Sequence, residues 1–182
     1  MTIFNLGSIN ADMVYRVPHL PGAGETLAAK SMSRGLGGKG ANMSVAAARA
    51  GAHVVHIGAV GEDGQWASNR LLEYGVDTRH IAVAAEATGH AIIAVDDAGE
   101  NTILLHPGAN WALSETEIDL ALELSTARDT FLFQNETNAQ RAGAGMASAR
   151  GLRIAYAAAP FGAEAVAEVL PLLDLLVLNA VE

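Results

Sequence analysis

Three features of this 182-residue sequence predict an α/β fold with a mostly parallel central sheet and helices on both faces. Short apolar runs alternate with helix-length segments along most of the chain, the rhythm of strands joined by crossover helices. The runs are almost continuously apolar, as in residues 173–178, which suits strands buried on both sides. One stretch breaks the rhythm: two strand-like runs flank residues 96–100, predicting a small accessory β unit.

Residues 3–6 read as the first buried strand. Pro18, Pro21, Gly22 and Gly24 then punctuate short segments around 14–17 and 26–33, unlike a direct strand-to-helix step. An alanine-rich helix over 41–50 follows the glycines, its small side chains permitting close packing on a sheet. A strand over 53–60 and a helix over 63–74 come next, with Gly75 as C-cap because glycine readily takes the left-handed conformation that ends helices. Residues 88–95 and 101–106 flank Asp96-Asp97-Ala98-Gly99-Glu100 and form a hairpin. Ser114-Glu115-Thr116-Glu117 has the spacing of a capping box and starts a helix to residue 124. Strand 130–134, helix 139–149, strand 152–155, helix 163–170 and strand 173–178 complete the series. The last strand is apolar enough for the middle of a sheet. It therefore predicts further neighbours, and the chain is expected to be part of a longer protein, a partner chain being the other way to cover the edge.

A length of 182 residues suffices for one domain with a sizeable core. Although 51% of the residues are hydrophobic, no apolar run approaches the roughly 20 residues of a membrane span. The N-terminus lacks the pattern of a secretory signal, and without cysteine there is neither a disulfide framework nor a thiolate metal site. A cytoplasmic setting is expected. The net charge of −9 comes from dispersed acids, and no basic stripe is present, so neither nucleic acid nor membrane is an expected partner. The six histidines are scattered, without the i, i+4 pair of a helix-borne zinc site.

In open parallel sheets ligands bind beyond the carboxyl ends of the strands. Asn10 and Asp12 follow the first strand, Glu136 follows strand 130–134, and Asn179 and Glu182 follow the last. Asp12 and Glu136 suit hydroxyl donors when ionised, whereas Asn10 and Asn42 can donate and accept; recognition of a polyol needs that mixture. Their other common uses are as caps, Asp12 of a turn and Glu136 of the helix after it. Gly37, Gly38 and Gly40 allow a close backbone approach, Lys39 adds charge and three donors, and the helix start beside them is expected to offer free N–H groups.

Two better-known glycine motifs fail here. Gly35-Leu36-Gly37-Gly38-Lys39-Gly40 satisfies G-x-G-x-x-G, with Glu62 about 20 residues on, but residues 28–33 before it are not the buried first strand that a dinucleotide site requires. A phosphate-binding loop of the Walker type needs Ser or Thr after the lysine, where Gly40 stands.

The run Gly7-Ser8-Ile9-Asn10-Ala11-Asp12, then Val17-Pro18, Gly24-Glu25-Thr26 and Gly37-Gly38-Lys39-Gly40-Ala41-Asn42, resembles consecutive landmarks of the phosphofructokinase-B (PfkB) family of carbohydrate kinases, in its ribokinase-like branch. Gly89, Gly99-Glu100-Asn101, Gly108-Ala109-Asn110, Gln134-Asn135-Glu136-Thr137 and Asn179-Ala180-Val181-Glu182 continue the series to the last residue. The resemblance implies an incomplete ribokinase-like α/β domain over 1–182, with lid segments at about 12–35 and 88–107 that also pair two subunits as a homodimer. It implies that Asn10, Asp12, Gly38, Lys39, Asn42 and Glu136 hold a sugar. Asn179 would lie near the phosphates of ATP, Glu182 near Mg2+ through metal-bound water, and a monovalent cation such as K+ would be held by the part beyond residue 182. The implied reaction moves the ATP γ-phosphoryl group to the primary hydroxyl of D-ribose. Its base, an aspartate at a helix start in the family, lies beyond residue 182, so the chain alone is expected to be inactive. The sequence departs from the family where Asn-x-x-Glu reads Asn-Ala-Val-Glu and where Ala157-Ala158-Ala159-Pro160 replaces Asn-Pro-Ala-Pro. A nucleoside or other sugar kinase of the same family, and a non-catalytic sugar-binding or assembly module, remain open alternatives.

Overall fold

The computed structural model describes residues 1–180. A six-stranded sheet runs through its centre. Its strands are β1 (Thr2–Leu6), β4 (His53–Gly61), β5 (Asp77–Ala84), β8 (Thr130–Gln134), β9 (Arg153–Ala157) and β10 (Leu175–Val177). Their order is β10-β9-β8-β1-β4-β5, and every neighbouring pair is parallel. The predicted α/β class is the observed one.

Alternation along the buried strands divides the core in two. Phe4 and Leu6 of β1 face one side with Phe131, Phe133, Val55 and Ile57, where the helices α3 (Glu115–Ala121) and α4 (Gln140–Ala149) add Ile118, Ala144 and Ala147. The opposite face carries Val54 and Val60 under α1 (Lys39–Arg49) and α2 (Gln65–Glu73), which contribute Ala41, Ala67 and Leu71. Burying a Leu or Phe side chain stabilises by about 1.5–3 kcal/mol, so these two layers dominate the folding energy. The helix starts read as their sequence suggests in one case and not in another. Ser114 and Glu117 form both bonds of a capping box, whereas α4 starts after Ala139 in a left-handed conformation with no side-chain cap. The fifth helix, α5 (Ala163–Val169), sends Val169 into the first core.

A second sheet holds β2 (Asn10–Arg16), β3 (Ser31–Gly37), β6 (Gly89–Val95) and β7 (Asn101–His106) in the order β3-β2-β6-β7. β2 pairs antiparallel with β3 and parallel with β6, and β6 and β7 make the expected hairpin. Its side chains Met32, Ile92, Ile103, Leu104 and Leu105 are exposed.

Strand β5 has no counterpart in the sequence reading. It lies at a sheet edge, half-buried, and opens on Asp77, Thr78, Arg79 and His80, so neither an apolar run nor clean alternation marks it. At the other edge β10 pairs with β9, leaving Leu175, Val177 and Leu178 exposed rather than enclosed.

Candidate functional site

The site is built where β1, β8 and the start of α1 meet. Gly38, with φ at +93°, turns the chain from β3 into α1, in a conformation that glycine adopts without strain. A Cβ at this position would lie 2.7 Å from the Ser8 carbonyl oxygen. One at Gly40 would strike the Gly7 backbone, and one at Gly37 would strike the carboxyl group of Asp12. The three glycines thus let α1 rest on the end of β1 and leave room for Asp12.

The helix start does not offer the free N–H groups expected of it. Lys39 N donates to Glu136 Oε2 at 3.0 Å, Gly40 N to Ser8 Oγ at 3.2 Å and Ala41 N to the Ser8 carbonyl at 2.9 Å. Ser8 and Glu136 follow adjacent strands, β1 and β8, and α1 is seated close enough on them to spend its orphan donors there. Glu136 therefore caps a helix, but α1 across the sheet rather than the helix that follows it in sequence.

Glu136 also accepts from Ser8 Oγ and pairs with Lys39 Nζ at 2.7 Å. Its side chain is only 7% exposed, whereas that of Lys39 is 41% exposed. A carboxylate offers about four lone-pair positions, of which three are used, and the ammonium retains two of its three donors. Beside this pair stands Asp12, whose carboxyl makes no hydrogen bond among the described residues. Burial pushes its pKa above the ordinary value, repulsion by Glu136 adds to that, and Lys39 partly opposes both. An acceptor with raised proton affinity and no internal donor is suited to receive hydroxyl hydrogens from a ligand.

Asn10 opens β2 and is 4% exposed. Its Oδ1 accepts from Asn110 Nδ2 at 2.7 Å, while Asn110 Oδ1 accepts from Ile9 N at 2.8 Å. Asn110, in a short 3-10 turn (Gly108–Trp111), thus locks the segment that carries Asn10 and Asp12. Sequence reasoning assigned no role to Ser8 or Asn110. Both lay inside quoted motifs, but an Asn one hundred residues downstream gives no local sign that it binds Ile9.

Asn10, Asn110 and Glu136 line a cavity of about 200 Å³ together with Leu105, Pro107 and the largely exposed Trp111. The structure brings Asn10, Asp12, Gly38, Lys39 and Glu136 to one place. Asn42, one turn further along α1, is exposed and lines a neighbouring groove with Gly35 and Leu36. Asn179 follows β10 on the ligand side of the sheet, and Glu182 lies outside the described residues. Among the described residues no three His, Asp, Glu or Cys side chains are grouped to hold a metal ion.

A buried polar chain supports the site from below. Gln134 Nε2 donates to Asn5 Oδ1 at 2.7 Å, and Asn5 Nδ2 donates to the Gly40 carbonyl and to Ser44 Oγ, both at 2.8 Å. Ser44 Oγ lies 2.8 Å from His56 Nδ1, and His56 Nε2 lies 3.0 Å from the Gly7 carbonyl. A carbonyl can only accept, so the proton sits on Nε2, and Nδ1 receives the Ser44 hydroxyl. Burial drives the imidazole pKa from 6.5 down to about 4, against the Gly7 bond that raises it.

Comparison with known proteins matches this arrangement to the model of the pfkB family carbohydrate kinases over residues 2–182. The chain belongs to that family. Within it the chain is similar to ribokinases: it is 39% identical to ribokinase of Haemophilus influenzae over 187 residues, covering 100% of this chain and 60% of that one. Ribokinase of Cryptococcus neoformans var. grubii, solved with ADP, superposes with a TM-score of 0.80 at 34% identity, covering 98% of this chain and 56% of that one. Arabidopsis thaliana ribokinase, solved with ribose and ATP, gives 0.79 at 27% identity, covering 96% and 58%. The chain spans at most about three-fifths of the length of these relatives.

Proposed function

We propose that this chain forms the sugar-holding part of an ATP-dependent kinase that phosphorylates the primary hydroxyl of D-ribose. The observation that carries this reading is the unpartnered, half-buried Asp12 carboxylate beside the Lys39–Glu136 pair, whose glutamate also lines a cavity of about 200 Å³ with Asn10. The ribokinase relatives, one of them solved with ribose and ATP, support the choice of substrate.

In this reading Asp12 accepts two hydroxyl hydrogens, the free Lys39 donors and the Asn10 amide hold sugar oxygens, and Glu136 supplies its remaining lone pair. Gly38 lets the sugar approach the backbone, while Asn42 lines the neighbouring groove. Their combined work is positioning, which brings the primary hydroxyl to a fixed place and excludes water. Bound ATP with Mg2+ supplies the phosphoryl group and neutralises its developing charge. Asn179, just after the edge strand β10, would serve that side, and Glu182 and a K+ site are assigned to it from the family resemblance alone. The base for the hydroxyl proton belongs to the family's further length, so the 182-residue chain by itself is expected not to turn over ATP. The second sheet acts as a lid over the sugar, and a cytoplasmic setting suits a cysteine-free chain with no helix long and apolar enough to cross a membrane among the described residues.

The test is a phosphorylation panel on the full-length enzyme with ribose, 2-deoxyribose, fructose, 2-keto-3-deoxygluconate and adenosine. Ribose should give the highest kcat/KM; a higher value for any other member refutes the assignment.

A further inference from the structure

A second groove, of about 490 Å³, is lined by β3, α1 and α2 and shares no lining residue with the cavity at Asn10 and Glu136. Three of its lining side chains are arginines, Arg34, Arg49 and Arg70, in a chain of net charge −9 with only eleven basic residues. Two of the three lie over aromatic rings. The Arg34 guanidinium carbon lies 4.3 Å from the Trp66 ring centroid and that of Arg49 lies 4.9 Å from the Tyr74 centroid. Stacking fixes the plane of a guanidinium while leaving its edge free to donate, which lowers the ordering cost of binding an oxyanion.

The carboxylates nearby are engaged elsewhere. Asp63 accepts from Thr88 N and Thr88 Oγ1, Glu73 pairs with Arg70, and Arg34 reaches only the Asp63 backbone carbonyl, at 3.3 Å. Arg34 and Arg49 therefore form no salt bridge with a carboxylate among the described residues, although the charge of Arg34 helps hold the Asp63 carboxyl below its ordinary pKa, and they stand against an acidic whole that would otherwise repel anions. A phosphoryl group offers the paired oxygens that such forks recognise, and the groove has room for an organic body beyond it.

We propose that this groove binds a phosphorylated small molecule, with Arg34 and Arg49 on the phosphoryl oxygens and the apolar wall of Leu36 and Val45 against its organic part. The site is separate from the sugar cavity and does not depend on the kinase reading.

The test is calorimetry at constant, low ionic strength with glycerol 2-phosphate, which has no sugar ring to compete for the other cavity. Inorganic phosphate and sodium chloride serve as parallel titrants. The wild-type protein should bind glycerol 2-phosphate saturably and more tightly than inorganic phosphate. Arg34→Gln and Arg49→Gln, both at exposed positions, should each weaken binding by roughly ten- to a hundredfold, the usual effect of losing a hydrogen bond to a charged group. In a Trp111→Phe background Trp66 is the sole indole, and its fluorescence should titrate with the same midpoint. Unchanged affinity in both arginine variants, tighter binding of inorganic phosphate, or equal heat from chloride would each overturn the proposal.

Discussion

The half-buried Asp12 and the fully buried Tyr156 are two polar side chains without hydrogen-bond partners among the described residues, and the difference between them is instructive. Asp12 stands half-buried beside Lys39 and Glu136 and holds its unpaired state at a cost that a ligand can offset. Replacing it by Ala should weaken ribose binding by about 1.5–3 kcal/mol, or ten- to a hundredfold, as read by calorimetry on the full-length enzyme. Unchanged affinity with an intact fold would leave Asp12 as a mere turn residue. Tyr156 is stacked 4.4 Å from Phe133 in the closed core, and its hydroxyl has no hydrogen-bond partner among the described residues. Burying such a hydroxyl costs roughly 1–3 kcal/mol. Tyr156→Phe keeps the ring and removes that cost, so urea unfolding should show equal or greater stability; a loss above about 1 kcal/mol would mean that the hydroxyl is bonded after all.

The start of α1 shows how an element can be held by its neighbours rather than by its own cap. Its N-terminal donors go to Ser8 and Glu136, and its underside is bonded through Ser44 to His56 on β4. That histidine makes the helix–sheet joint sensitive to pH. The folded-state pKa is depressed to about 4 from 6.5, so between these values the unfolded chain binds a proton that the folded one does not. The stabilising effect is fully present above pH 6.5 and is lost as pH falls towards 4, by about 3 kcal/mol in all. The depressed carboxylates Asp63, Asp77 and Asp129 titrate below 3.8 when folded and so act mainly beneath this window. Unfolding free energies measured from pH 7 to 4 should therefore fall in the wild type, while in His56→Asn that fall should disappear or reverse slightly, because the raised pKa of Asp12 adds stability as pH drops. Parallel curves would show that other groups carry the dependence. At the same joint Gly40→Ala should destabilise by more than the Ala preference of a helix can return, because its methyl group would overlap the Gly7 backbone.

At the scale of the whole molecule, the second sheet presents a row of exposed apolar side chains, Leu104 at 67% and Met32 at 56% among them. Such a surface invites a two-fold copy of itself. The full-length protein is expected to be a dimer through this sheet, and Leu104→Asp should shift it to monomer in light scattering at micromolar concentration. A wild-type monomer would remove the lid from the list of interfaces.

The helix–strand rhythm, the hairpin at 96–100 and the capping box were legible in sequence because each is set by local chemistry: apolar periodicity, turn residues and reciprocal side-chain bonds. The likeness of the two N-terminal motifs to one family was legible for a similar reason, since close backbone approach leaves glycines at set spacings. Strand β5 was not, because an edge strand buries too little to demand apolar residues. Nor was the destination of Glu136: by position it should cap the helix after it, yet parallel pairing of β1 and β8 sets it beside Ser8 and under Lys39, ninety-seven residues away. The amino acids themselves specified which groups could bind a polyol. Only the tertiary structure decided which of them are consumed in holding the fold and which, like Asp12, are left without a hydrogen-bond partner beside Lys39 and Glu136, because hydrogen-bond partners distant in sequence are assigned by sheet order and not by spacing.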